Sequence, residues 1–186
     1  MAELMLRQAL RGLLDEPAVR AALWQLDDRP GFVAHLCAEA RRRGIAVSTA
    51  EIASLLQAGK RLPLQVGPAP NLAQFRDWLP ATVTWSDQQP LLHWAYAPAL
   101  PLQASFYAQT VHRVMAHPFN HLGGRSTWLH EIDAADSAAI ARPAAFIFHW
   151  SRCGSTLLGR MLNAHPGCQL YAEPEQACPG PHEVAA

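Results

Sequence analysis

Arg152, Ser155 and Thr156 fall within one short turn, Ser151-Arg152-Cys153-Gly154-Ser155-Thr156, that contains no acidic residue. A guanidinium fork and two hydroxyl donors match the oxygens of a phosphate- or sulfate-like group. Gly154 allows a tight turn, and an amphipathic pattern follows it at once. A helix that starts there offers free backbone N–H groups and the positive end of its dipole. Those two effects together hold an anion without special chemistry.

The elements that must position this turn are read on either side of it. Ala144 to His149 is a short continuous apolar run after Pro143, which predicts a strand buried on both faces of a parallel sheet. Leu157, Leu158, Met161 and Leu162 are expected to line one side of the following helix, and Cys168 to Tyr171 to form the next strand. The pattern is a βαβ unit with its loop at the carboxyl end of the first strand, where open α/β sheets bind ligands. A nucleotide-binding Walker A loop competes, because Gly154 and Gly159 have the G-x4-G spacing. Arg160 then stands where that loop needs Lys, and Met161 where it needs Ser or Thr for magnesium. A helix starting at Ser155 removes the conflict. A strand–turn–helix with no ligand is the remaining alternative.

Residues 1–60 read as a small bundle of three or four short helices. Leu10, Leu13 and Leu14, then Val19 and Leu23, then Phe32, Val33, Leu36 and Cys37 form successive apolar stripes. Pro17 and the Asp28-Arg29-Pro30 break mark helix starts, and Gly44 marks a helix end. Ser48 and Glu51 have the spacing of a capping box. Residues 61–70, with Pro63, Gly67, Pro68 and Pro70, form a linker by composition. Residues 71–143 read as a mixed α/β region. It holds strands at Thr82–Trp85 and Leu91–Tyr96 across a turn, and a helix from Phe106 to Met115 stopped by Pro118. Trp78, Trp85, Trp94 and Trp128 are expected to pack as core rather than to form a ligand cage. Residues 144–186 complete the chain as the βαβ unit.

Composition narrows the function classes. The 186 residues carry 15 basic and 15 acidic side chains, so no broad field points to nucleic acid or to acidic lipid. Fourteen arginines accompany a single lysine, Lys60, a bias read as genomic rather than functional. No signal peptide and no membrane-spanning run are visible. The scattered Cys37, Cys153, Cys168 and Cys178, with no clustered histidines, predict reduced thiols, a cytoplasmic location and no metal.

Two resemblances extend this reading. Leu13-Leu14-Asp15-Glu16-Pro17-Ala18-Val19-Arg20, Pro30-Gly31-Phe32-Val33 and Arg43-Gly44-Ile45 before Ser48-Thr49-Ala50-Glu51-Ile52 resemble the nitrogen-fixation-associated leader-peptide domain. In that family modifying enzymes recognise the helical unit. Residues 1–60 are therefore expected to dock a protein partner or to be structural. Phe146-Ile147-Phe148-His149-Trp150-Ser151-Arg152-Cys153-Gly154-Ser155-Thr156-Leu157-Leu158 resembles the 5′-phosphosulfate loop of sulfotransferases. Leu162-Asn163-Ala164-His165-Pro166 and Tyr171-Ala172-Glu173-Pro174 look like bacterial members of that family.

The resemblance implies a P-loop-type α/β sulfotransferase core and 3′-phosphoadenosine 5′-phosphosulfate as donor. Arg152, Cys153, Gly154, Ser155, Thr156 and Leu157 would form the donor site. Arg152 would hold the bridging and sulfuryl oxygens, and Ser155 and Thr156 the 5′-phosphate. The acceptor is a hydroxyl or an amine of unassigned identity. Glu173 is either the general base or a residue that positions the loop, with His149 and His165 as weaker candidate bases. The family's downstream strands and 3′-phosphate clamp have no counterpart in the thirteen residues after Glu173. The expectation is a truncated sulfotransferase that is inactive alone. The contrasting expectation is a non-enzymatic protein that binds a partner through residues 1–60 and retains a vestigial loop.

Overall fold

The computed structural model describes residues 2–57, 75–86, 88–98, 106–134, 144–150, 153–165, 168 and 170–172. They form a mixture of helix and sheet, and the chain divides into two compact units.

The first unit comprises Met1–Gln65 together with Val114–Ser126. Its helices are α1 (Ala2–Asp15), α2 (Pro17–Trp24), α3 (Arg29–Arg42) and α4 (Thr49–Gln57). The expected punctuation is present. Pro17 opens α2, and Asp28 caps α3 by accepting from the Gly31 N–H at 2.7 Å. The end of α3 is closed by two bonds, Gly44 N–H to the Arg41 carbonyl (3.0 Å) and Ile45 N–H to the Ala40 carbonyl (2.9 Å).

The capping box precedes α4. Ser48 N–H donates to Glu51 Oε2 at 2.8 Å, and Glu51 N–H donates to Ser48 Oγ at 3.2 Å. The hydrogen bonds from the Ser48 side chain and backbone hold the Glu51 carboxyl below its usual range. Ser48→Ala is expected to cost about 1 kcal/mol. It should also fray α4 first, read as faster amide exchange at Ile52 than at Leu36. Uniform exchange across both helices would refute a local cap.

The apolar stripes converge. Leu10, Leu23, Phe32, Leu36, Ala40 and Ile52 are fully buried. A short helix, α6 (Pro118–Leu122), packs on α2, α3 and α4, and its Phe119 and Leu122 are fully buried too. Burial of these side chains contributes on the order of 2 kcal/mol each. Pro118, expected to stop a helix, also begins this one, at its first position after the cap residue His117. Two ionic contacts tie distant parts of the unit. Asp15 accepts from Arg125 at 2.7 Å, and Glu16 accepts from Arg43 Nε at 3.0 Å.

The second unit comprises Val66–Arg113 and Thr127–Ala186. It holds β1 (Trp78–Ser86), β2 (Gln89–Tyr96) and the second half of β3 (Arg125–Trp128), in the sheet order β1–β2–β3. β1 and β2 are antiparallel, paired from Trp78 with Tyr96 to Ser86 with Gln89. A two-residue connection can give no other sense, because a parallel return needs a crossover of about a dozen residues or more. Gln88 takes φ 63°, the left-handed conformation that tight hairpin turns demand. The register slips between Pro80 and Thr82, which leaves Ala81 as a bulge beside a proline that cannot donate to the ladder.

Three further helices belong wholly or mostly to this unit: α5 (Tyr107–Met115), α7 (Leu129–Ala134) and α8 (Ser155–Asn163). Among the tryptophans read as core, Trp78 is buried beside Phe75 and Tyr96, and Trp94 donates its indole N–H to Thr127 at 2.9 Å. Trp85 departs from that expectation. It lies near the end of β1 and is 57 % exposed.

Candidate functional site

The candidate site is the start of α8. Gly154 is its N-cap at φ 87°, ψ 11°, a conformation that costs a side-chain-bearing residue roughly 1–2 kcal/mol. Among the described residues no side chain caps the helix. The Gly154 carbonyl accepts from Leu157 N–H (3.0 Å) and from Leu158 N–H (3.1 Å). Among the described residues nothing accepts from the N–H groups of Ser155 or Thr156, the orphan donors of a helix start. The space where Gly154 would carry a Cβ is open to 4 Å, Ser155 is half-buried, and Cys153 and Thr156 are exposed. From Ser137 to Ala172 the sequence holds Arg142, Arg152 and Arg160 and no acid. The local charge therefore favours an anion.

Helix formation from Ser155 onward decides the register. The four residues after Gly154 are helical, so they cannot wrap a phosphate as the middle of a Walker A loop would. Gly159 lies inside the helix and serves packing. A Cβ there would stand 2.7 Å from Leu170 Cδ2, so the bare backbone seats that side chain.

Of the expected site residues, Cys153, Gly154, Ser155, Thr156 and Leu157 are gathered at this helix start. Arg152 and Glu173 lie outside the described residues. The chain is described as far as Ala172, whose carbonyl accepts from Tyr107 N–H at 2.6 Å. That bond fixes the backbone one residue before Glu173. His165 follows the far end of α8, whose nine residues span about 14 Å at the helical rise, too far from Gly154 to serve the same small anion. Its Nδ1 lies 3.8 Å from Cys168 Sγ. His149 is exposed, with Nδ1 at 3.3 Å from the Trp150 carbonyl.

Three expectations for the surrounding elements are corrected. Residues 144–149 are not a buried strand: they are exposed and pair with no strand among the described residues. A fully apolar run becomes a central strand only when neighbours cover both of its faces, and the described residues bring none to it. Leu157, Leu158 and Met161 do not face a core either. They are 65, 44 and 65 % exposed, and only Leu162 on that side is half-buried. Cys168, Leu170 and Tyr171 form no strand, and Leu170 instead folds back on Gly159.

The residues that hold this return were not singled out from the sequence. Asn163 Oδ1 accepts from Leu170 N–H at 2.8 Å, and Tyr171 packs on Tyr107 with ring centroids 5.5 Å apart. Tyr107 also donates its hydroxyl to the Pro80 carbonyl at 2.6 Å. Burial raises the pKa of both tyrosines, which keeps them neutral donors. The mid-helix Gly159 was the signal available, since glycine inside a helix often marks a close approach.

Among the described residues no group of His, Cys, Asp and Glu is arranged to hold a metal, and no helix is long and apolar enough to cross a membrane. Comparison of the chain with protein-family models, with curated proteins and with solved structures returned no match.

Proposed function

We propose that the start of α8 holds the phosphosulfate end of 3′-phosphoadenosine 5′-phosphosulfate, and that the chain is sulfotransferase-like. The observation that carries this is the uncapped helix N-terminus behind a left-handed Gly154, with the Ser155 and Thr156 donors left for an anion. In this reading α8 is the helix that follows the phosphate loop of a P-loop-type α/β core. Cys153 to Thr156 supply backbone donors, Leu157 lines the loop, and Ser155 and Thr156 receive the 5′-phosphate. Arg152 neutralises the bridging and sulfuryl oxygens.

In the transfer, the acceptor oxygen or nitrogen forms a bond to sulfur. The bond from sulfur to the bridging oxygen breaks, and that oxygen leaves with its electron pair on the 5′-phosphate. Charge grows there, so donors already aimed at it stabilise the transition state. Glu173 takes the acceptor proton.

Calorimetric titration with 3′-phosphoadenosine 5′-phosphate tests the site. Saturable heat is expected, and Arg152→Ala should weaken binding by at least about tenfold, or ~1.4 kcal/mol. A folded protein that gives no heat, or an unchanged affinity in the variant, would refute the assignment.

A second reading is favoured by one observation: the helical unit closes a core of its own. There the protein binds a partner through residues 1–60, and the loop is a remnant. It predicts no titration heat, together with loss of partner binding when exposed residues of α1 to α4 are changed.

A further inference from the structure

Arg11 is the most deeply buried arginine among the described residues. It is 6 % exposed, and among the described residues nothing accepts a hydrogen bond from its Nε or Nη1. A guanidinium stays charged in proteins. A buried charge is strongly disfavoured unless it is both paired and hydrogen-bonded. Burial lowers the pKa of Arg11, as that penalty requires; Asp15 opposes the shift and Arg125 adds to it. A second cation therefore lies within electrostatic reach of the first.

The pairing around Arg11 is incomplete. Asp15 stands one turn further along α1, and its Oδ2 lies 3.8 Å from Arg11 Nε, beyond hydrogen-bond distance. Its Oδ1 accepts from Arg125 Nη2 at 2.7 Å. Arg20 reaches the same residue from α2 and donates Nη1 to the Asp15 carbonyl at 3.4 Å. The neighbouring Glu16 is engaged by Arg43 Nε at 3.0 Å. Arginines from α1, α2 and the start of β3 thus converge on Asp15, and all of them belong to the first unit. The Asp15 side chain is 40 % exposed, against 8 % for Arg11 and 16 % for Arg125. Asp15 is therefore the member of the cluster most open to solvent.

We propose that Arg11 and Arg125 form a binding site for a small dianionic oxyanion of the phosphate or sulfate type, with Asp15 as the internal occupant that the ligand displaces. The Asp15 carboxylate hydrogen-bonds Arg125 and leaves Arg11 short of an acceptor. A tetrahedral oxyanion brings more oxygens and accepts from both guanidiniums, whose planar forks suit it. The inference stands apart from the reading of α8, because the cluster belongs to the other unit and the signal is taken from Arg11 itself.

Inorganic phosphate titrated into the nitrogen-15-labelled full chain at constant ionic strength tests the site. The signal is the Nε–H resonance of Arg11, assigned by its loss in Arg11→Met. A saturable shift with a dissociation constant of roughly 1–10 mM is expected. Sulfate should reproduce the shift, and chloride at the same ionic strength should not. Asp15→Asn removes the competing negative charge and should tighten phosphate binding at least about threefold. Arg125→Met removes one of the two guanidiniums and should weaken it at least about tenfold. An Arg11 resonance that phosphate does not move overturns the proposal, and so does an equal shift with chloride. Phosphate binding that is unchanged or weaker in a folded Asp15→Asn overturns it too, because a purely structural contact between Arg11 and Asp15 leaves no ligand to compete. The titration of the parent chain decides by itself if either variant fails to fold.

Discussion

Replacing Phe119 by alanine is expected to lower the stability of the helical unit by about 3–5 kcal/mol, the range for large-to-small changes at fully buried aromatic positions. Phe119 has no exposed surface, and α6, which carries it, packs on α2, α3 and α4. Collapse around the cavity is restricted on the side of Gly123. A Cβ added there would already stand 2.6 Å from the Phe119 ring, so backbone and ring are in contact. The loss is a large share of the ~5–15 kcal/mol that holds a domain together. In thermal unfolding it corresponds to a drop of at least about 12 °C for a unit of this size. Phe119→Leu keeps most of the apolar volume and should lose less. A melting temperature for Phe119→Ala within about 3 °C of the parent would mean that α6 is not part of this core.

That result bears on what the sequence could disclose. The helices of residues 1–60 are legible because each carries its own period and punctuation: Pro17, Asp28 with Pro30, Gly44, and Ser48 with Glu51. The β1–β2 hairpin is legible because Thr82–Trp85 and Leu91–Tyr96 are short runs rich in β-branched, aromatic and apolar residues on either side of a short polar turn. Joining Val114–Ser126 to the helical unit is a different matter. Phe119 and Leu122 announce a buried surface but not which one, and the contact spans far more chain than any local pattern covers. An expectation of separate units in chain order, with residues 71–143 kept together, has no means of seeing that contact.

The loop shows the same limit from the other side. The left-handed Gly154, the helix from Ser155 and the clash of G-x4-G spacing with Arg160 and Met161 are local facts, and the sequence carries them. Burial of residues 144–149 is not local. An apolar run predicts what a strand needs, and it does not supply the neighbours. Where those neighbours are absent among the described residues, the same side chains stand in solvent. The Gly159–Leu170 seat and the Asn163 tether belong with the non-local facts, legible once the return of the chain is known.

The helical unit is expected to lose stability as pH falls through the histidine range, and His117 is the source. Its Nδ1 accepts the Phe119 N–H at 3.1 Å and so caps α6, which only a neutral imidazole can do. The ring stacks on Trp24 at 4.1 Å. Burial lowers its pKa and is the largest cause, with His121 acting in the same direction. The Trp24 backbone and Asp27 act the other way without overcoming it. The unfolded chain, with a histidine pKa of about 6.5, therefore binds the proton more readily than the folded unit does. Stability from this group is complete above that value. It declines as the pH falls from about 6.5 towards the lowered folded pKa, because the unfolded state then holds more protons. Protonation removes the cap acceptor and places a cation at a helix N-terminus, so packing of Phe119 and Leu122 weakens with it. His117→Asn keeps a capping oxygen that does not titrate in this range. Between pH 7.5 and 5.5 the parent's melting temperature should fall while that of His117→Asn stays nearly level, apart from the other histidines that both proteins share. Parallel curves for the two would place the titrating group elsewhere.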